Sequence, residues 1–134
     1  MTFEVSLLPA IVAGVFAMVP GSIIYMPSVL GKLWMKEVGI APKDMQGANA
    51  GKEMIYTLLT SIVTAIVLSV VIHAFNADTV AESMLVALLA SWFAIGASLL
   101  TVFFERKSWR LFGITALNTA ITYLVIGFVL GLFA

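Results

Sequence analysis

Eight hydroxyl and amide side chains on two uncharged stretches are the groups in this sequence best placed to contact a ligand. Thr115, Asn118, Thr119 and Thr122 recur at spacings that share one face of a helix. Thr57, Thr60, Ser61 and Thr64 do the same on an earlier stretch. Such groups give and accept hydrogen bonds but do not titrate near neutral pH. Two uses fit them: lining a pore or solute groove, or joining helices across a seam. Membrane helices commonly associate through small and hydroxyl side chains, so a seam is the expectation. Asn118 is the member to watch, because an amide is costly to bury and needs a defined partner. The hydroxyls of the Thr57–Thr64 face are the partners expected for it.

Little else could carry chemistry. His73 is the sole histidine, and with no cysteine in the chain it cannot assemble a metal site of the usual ligand number. It reads as a polar side chain reaching headgroups or bonding a neighbouring helix. There is no usable Ser-His-Asp set, no pair of carboxylates at membrane depth and no glycine-rich phosphate loop. Lys52-Glu53 and Glu105-Arg106-Lys107 read as loop ion pairs. Neither enzyme activity nor a cofactor is expected.

The elements that position these groups follow from composition. Of 134 residues, 62% are hydrophobic and 10% charged, and the mean hydropathy is +1.12. Soluble domains carry about 25% charged residues. A water-soluble fold and a disordered chain are both excluded. A net charge of zero gives no hint of a nucleic-acid partner.

The charges leave four long gaps: Val5–Gly31, Met54–Ala77, Ser83–Phe104 and Leu111–Ala134. Each exceeds the roughly 20 residues a helix needs to cross about 30 Å of hydrocarbon. Runs such as Ile62–Leu68 lack the alternation of a barrel strand. The predicted fold is an all-α, single-domain bundle of four transmembrane helices over about 6–26, 55–75, 83–104 and 111–133. The opening Met1-Thr2-Phe3-Glu4 lacks the positive start of a signal peptide, so the first helix is expected to be retained.

All seven basic side chains lie in two loops, at Lys32, Lys36, Lys43 and Lys52 and at Arg106, Lys107 and Arg110. The positive-inside rule assigns both loops to the cytoplasm, and both termini and the Asn76–Glu82 loop to the outside, of an inner cell membrane. In the first basic loop, Ser28 reads as a helix start and Gly39 as its stop. Leu30, Leu33, Trp34 and Val38 gather on one side and Lys32 and Lys36 on the other, the pattern of a short interfacial helix. Glu37 breaks that pattern. Pro42 and Asp44 suggest a second helix start. Trp34 and Trp109 are the expected interface anchors.

Further small-residue stripes occur at Ala10, Gly14, Ala17 and Gly21, and at Ala87, Ser91, Ala94, Ser98 and Thr101. Gly127 and Gly131 form a GxxxG pair suited to close approach by another helix or a second protomer. Pro20-Gly21 should kink or loosen the inner end of the first span.

Tyr25-Met26-Pro27, Gly31-Lys32-Leu33-Trp34-Met35, Gly39 and Ala41-Pro42-Lys43-Asp44 resemble the first loop of the family called "domain of unknown function 1761". Phe104-Glu105-Arg106-Lys107, Leu111-Phe112 and Asn118 resemble its last helical hairpin. The resemblance covers nearly the whole chain and implies a small four-helix membrane protein, with no activity attached. One departure is Ile24-Tyr25-Met26-Pro27, where a pattern nearer Trp-Tyr-x-Pro is expected.

The sequence leaves two functions open: small-solute or ion permeation by a homo-oligomer, or an accessory protein whose helix faces bind lipid or a larger membrane protein. Topology is directly testable. Single cysteines at Asp78 and Ala134 should react with an impermeant reagent from outside, and those at Lys43 and Lys107 from inside only. Outside labelling at Lys43 would reverse the orientation.

Overall fold

The computed structural model describes residues 5–25, 27–39 and 48–133. They form six α-helices: α1 (Leu7–Phe16), α2 (Met18–Ile24), α3 (Lys32–Val38), α4 (Ala48–Ala74), α5 (Val80–Phe104) and α6 (Trp109–Leu132). Among the described residues there is no strand. Four stretches are long and apolar enough to cross a membrane: Leu7–Ile24, Gly51–Ala74, Val80–Phe104 and Trp109–Leu132. Their large side chains face outward, with Phe93 80% and Leu8 69% exposed, while Ala10, Ala13, Ala65 and Ala87 are fully buried. Lipid is as apolar as these side chains, so burying them inside gains little, and small residues let the helices close up.

The first span is interrupted where Pro20 demands it. Proline has no N–H to give Phe16, four residues back, and its ring crowds that carbonyl. The α-helix accordingly breaks at Ala17 and resumes at Met18. The other helices begin earlier than charge gaps alone suggest. At 27 residues and about 1.5 Å per residue, α4 is longer than the hydrocarbon requires, and its first turns hold Lys52 and Glu53. Thr79 and Glu82 make a capping pair that starts α5. The Glu82 N–H donates to Thr79 Oγ1 at 3.1 Å, and the Asp78 N–H to Glu82 Oε2 at 2.9 Å. Ser108 Oγ caps α6 by accepting from the N–H groups of Arg110 and Leu111.

The first basic loop is helical from Pro27, with a π turn over Pro27–Gly31 leading into α3. Gly39 ends α3 in the left-handed region, at φ +83°. Met35 is buried, Leu33 and Trp34 are half-buried, and Lys32 and Lys36 are exposed. Glu37 breaks the pattern for a reason: it lies 3.9 Å from Arg110 at the start of α6, against which α3 rests. The helix start expected at Pro42 and Asp44 lies outside the described residues.

Two close approaches hold the helices together. Gly14 of α1 sits so near Ile62 of α4 that a Cβ there would lie 2.7 Å from the Ile62 backbone. On the most extensive pair, α5 with α6, a Cβ on Gly127 would lie 2.8 Å from Ala87 Cβ and from the Ser83 carbonyl oxygen. One on Gly131 would lie 2.7 Å from Val80 Cα. The GxxxG pair is therefore a seam within one chain. The stripe on α1 is a seam too, with Ala10, Ala13 and Ala17 in the core. α1 thus stands between α4 and α6, which touch each other only lightly.

Gly127→Ala should force α5 and α6 apart and cost about 1–3 kcal/mol. Ser83 is fully buried and its hydroxyl has no hydrogen-bond partner. Ser83→Ala should therefore be neutral or stabilising, by about 1 kcal/mol. Thermal unfolding in detergent checks both; a harmless Gly127→Ala would rule out the tight seam.

Candidate functional site

The light contact between α4 and α6 leaves a cavity of about 160 Å³. Thr60, Ser61 and Thr64 line it from α4, and Asn118, Thr119, Thr122, Tyr123 and Ile126 from α6. The two polar faces read from the sequence do meet, but across open space. At about 30 Å³ per water, the cavity has room for several water molecules. Six hydroxyl groups and an amide give such waters the polar partners they need.

The threonines on α4 present their oxygens in a defined sense. Thr60 Oγ1 donates to the Tyr56 carbonyl at 2.8 Å, and Thr64 Oγ1 donates to the Thr60 carbonyl at 2.9 Å. With the proton committed to the helix backbone, each oxygen keeps lone pairs for an external donor. Thr57 bonds the Glu53 carbonyl in the same way but lies exposed, outside the cavity.

Asn118 departs from the interhelical bond expected of it. Its Oδ1 is buried and has no hydrogen-bond partner, so the predicted bond from that oxygen to the α4 hydroxyls is not made. Oδ1 is turned toward the first span, 3.6 Å from where a Cβ on Gly21 would lie. The amide oxygen thus lies beside α2, while the side chain also lines the cavity.

The remaining predicted residues lie elsewhere. Thr115 Oγ1 donates to the Leu111 carbonyl and lines a separate, larger cavity that also takes in Trp34. His73 Nε2 lies 2.9 Å from Ser6 Oγ, and the Ser6 N–H donates to Ser69 Oγ at 3.1 Å. Both bonds tie the start of α1 to the far end of α4, the neighbour-bonding role expected of His73. Trp34 meets Tyr25 edge-on at 5.3 Å. Trp109 is exposed and meets Phe103 and Phe112 edge-on at 5.9 and 6.0 Å. Among the described residues no three His, Asp or Glu side chains come together as a metal site would need.

Sequence reasoning missed Tyr123 and Ile126 as lining residues. Tyr123 follows Thr119 by one helical turn, so the signal was the same spacing that picked out the threonines. It was overlooked because its aromatic ring reads as core.

No curated protein and no solved structure matches the chain. The family model described as "Protein of unknown function (DUF1761)" matches residues 8–131. That match takes in all four apolar spans but for Leu7 and Leu132 at their outer ends, and every residue of the cavity, and the chain belongs to this family.

Proposed function

We propose that this membrane protein passes a small uncharged polar solute through the groove between α4 and α6, as a homo-oligomer in which a second copy covers the groove's open side. The basic loops face the cytoplasm and both termini face outward, on the strength of the seven-to-zero division of basic residues. The observation that carries the reading is the hydroxyl- and amide-lined cavity within two helices long enough to span a membrane. A groove of this polarity facing lipid would leave hydrogen-bonding groups unpaired, which a hydrocarbon solvent penalises. A covering copy and a file of water or solute remove that penalty.

The lining also favours a neutral solute over an ion. None of its side chains carries a charge. Stripping water from an ion is costly, and without a countercharge or a full ring of oxygens that cost is not repaid. A polyol, amide or similar donor-bearing molecule exchanges its water bonds one for one with the Thr60 and Thr64 oxygens.

Osmotic shrinkage of proteoliposomes in glycerol and urea tests the reading. The wild type should accelerate solute entry over empty liposomes. Asn118→Leu should slow it at least about tenfold, equivalent to about 1.4 kcal/mol on the barrier. Its thermal stability should hold or rise by about 1 kcal/mol, because an unpartnered buried oxygen is removed. Wild-type liposomes no faster than empty ones would overturn the proposal. Native mass spectrometry in mild detergent should show a dimer, the commonest symmetric assembly. Monomers alone, in detergent and in nanodiscs, would overturn the shared groove.

A further inference from the structure

The second cavity is the larger, at about 760 Å³, and the permeation reading makes no use of it. It lies between α3 and the turn that joins α5 to α6, at the end of the molecule carrying the basic residues. Trp34, Val102 and Phe112 wall its apolar part, and Glu37, Arg106 and Lys107 its polar part. We propose that it binds one anionic phospholipid, with the phosphodiester at Arg106 and Lys107 and an acyl chain along Val102 and Phe112.

The charges around the turn fit that ligand. Lys107 pairs with Glu105 at 3.4 Å, and Arg110 with Glu37 at 3.9 Å. Among the described residues Arg106 has no carboxylate within ion-pairing distance, so the cluster of three cations and two anions keeps one positive charge. One phosphodiester neutralises it. A guanidinium is suited to that task, because its planar fork matches two phosphate oxygens. Basic pockets between membrane helices hold anionic headgroups on the same principle.

The backbone at Arg106 adds a second, independent observation. Its φ is +55°, in the left-handed region. Glycine is the common residue at such a helix terminus, because a side chain there is strained. Non-glycine residues held in that region concentrate at ligand clamps and other functional sites. Here the strained position carries the unpaired cation at the rim of the cavity. Depth supplies the rest. Val102 lies in the last turn of a membrane-length helix and Phe112 in the first turn of the next, level with Trp109. That is where a headgroup gives way to its chains. A free phosphate ion would use the rim and leave the apolar wall empty, so the lipid is the better fit.

The test is thermal unfolding and native mass spectrometry of delipidated protein in detergent. Phosphatidylglycerol, phosphatidylethanolamine and inorganic phosphate are each added at matched concentration. Phosphatidylglycerol should raise the unfolding temperature by several degrees and leave a one-lipid adduct, while the other two do neither. Arg106→Gly should unfold at or above the wild-type temperature without lipid, because backbone strain is relieved, and should lose most of the phosphatidylglycerol shift. Arg106→Gln, which keeps a side chain in place, should lose the same shift. Equal shifts from phosphatidylglycerol and phosphatidylethanolamine would overturn the proposal. So would an equal shift from inorganic phosphate, or a full phosphatidylglycerol shift in both variants.

Discussion

A hydrocarbon solvent offers no hydrogen-bond partner, so every polar group in the spans must find one in the protein or in water that the protein admits. Most of the hydroxyls comply locally. Ser22, Thr57, Thr60, Thr64, Ser91, Ser98, Thr101 and Thr115 each donate to a carbonyl of their own helix. That solution needs no neighbouring helix, and it leaves the oxygens free to face a seam or a cavity. Asn118 has no such local solution, and its Oδ1, like the buried Ser83 Oγ, remains unpartnered.

Helix spacing decides which polar faces become seams. Gly14 brings α1 onto α4, and Gly127 and Gly131 bring α6 onto α5, so close that added methyl groups would collide. α1 then occupies the place where α4 would otherwise meet α6. The gap on its open side is the polar cavity, and the interruption of the first span at Ala17 puts Gly21 beside Asn118. Pro20, the cause of that interruption, is buried with it. Of these residues Asn118 alone lines the groove, and Gly21 lies behind its amide oxygen.

How far the fold was legible follows from what periodicity encodes. Gaps between charges mark where a chain can cross lipid, and all four spans were readable from them. Their ends were less so, because α4 begins at Ala48, ahead of the charges at Lys52 and Glu53, and α5 and α6 start at the caps Thr79 and Ser108. Spacing picked out Thr60, Ser61 and Thr64 of α4 and Asn118, Thr119 and Thr122 of α6, which share one cavity, together with Thr57 and Thr115, which do not line it. It says which side of a helix is polar, and is silent on whether that side meets another helix or a void. The distinction depended on where α1 sits, which no local pattern records. Glu37 is the same lesson on a smaller scale: it looks misplaced within its own helix, and its partner, Arg110, comes from far along the chain.

Water in the groove between α4 and α6 is the premise on which the functional reading rests. Because the chain has no native cysteine, single-cysteine variants at Thr60, Thr122 and Phe93 report on it without interference. A water-soluble thiosulfonate reagent, applied to the protein in liposomes, should modify the cysteines at Thr60 and Thr122, which line the cavity. It should spare the one at Phe93, which faces outward along a membrane-length helix. Cysteines at Thr60 and Thr122 as inert as the one at Phe93 would mean a dry groove and would contradict the premise.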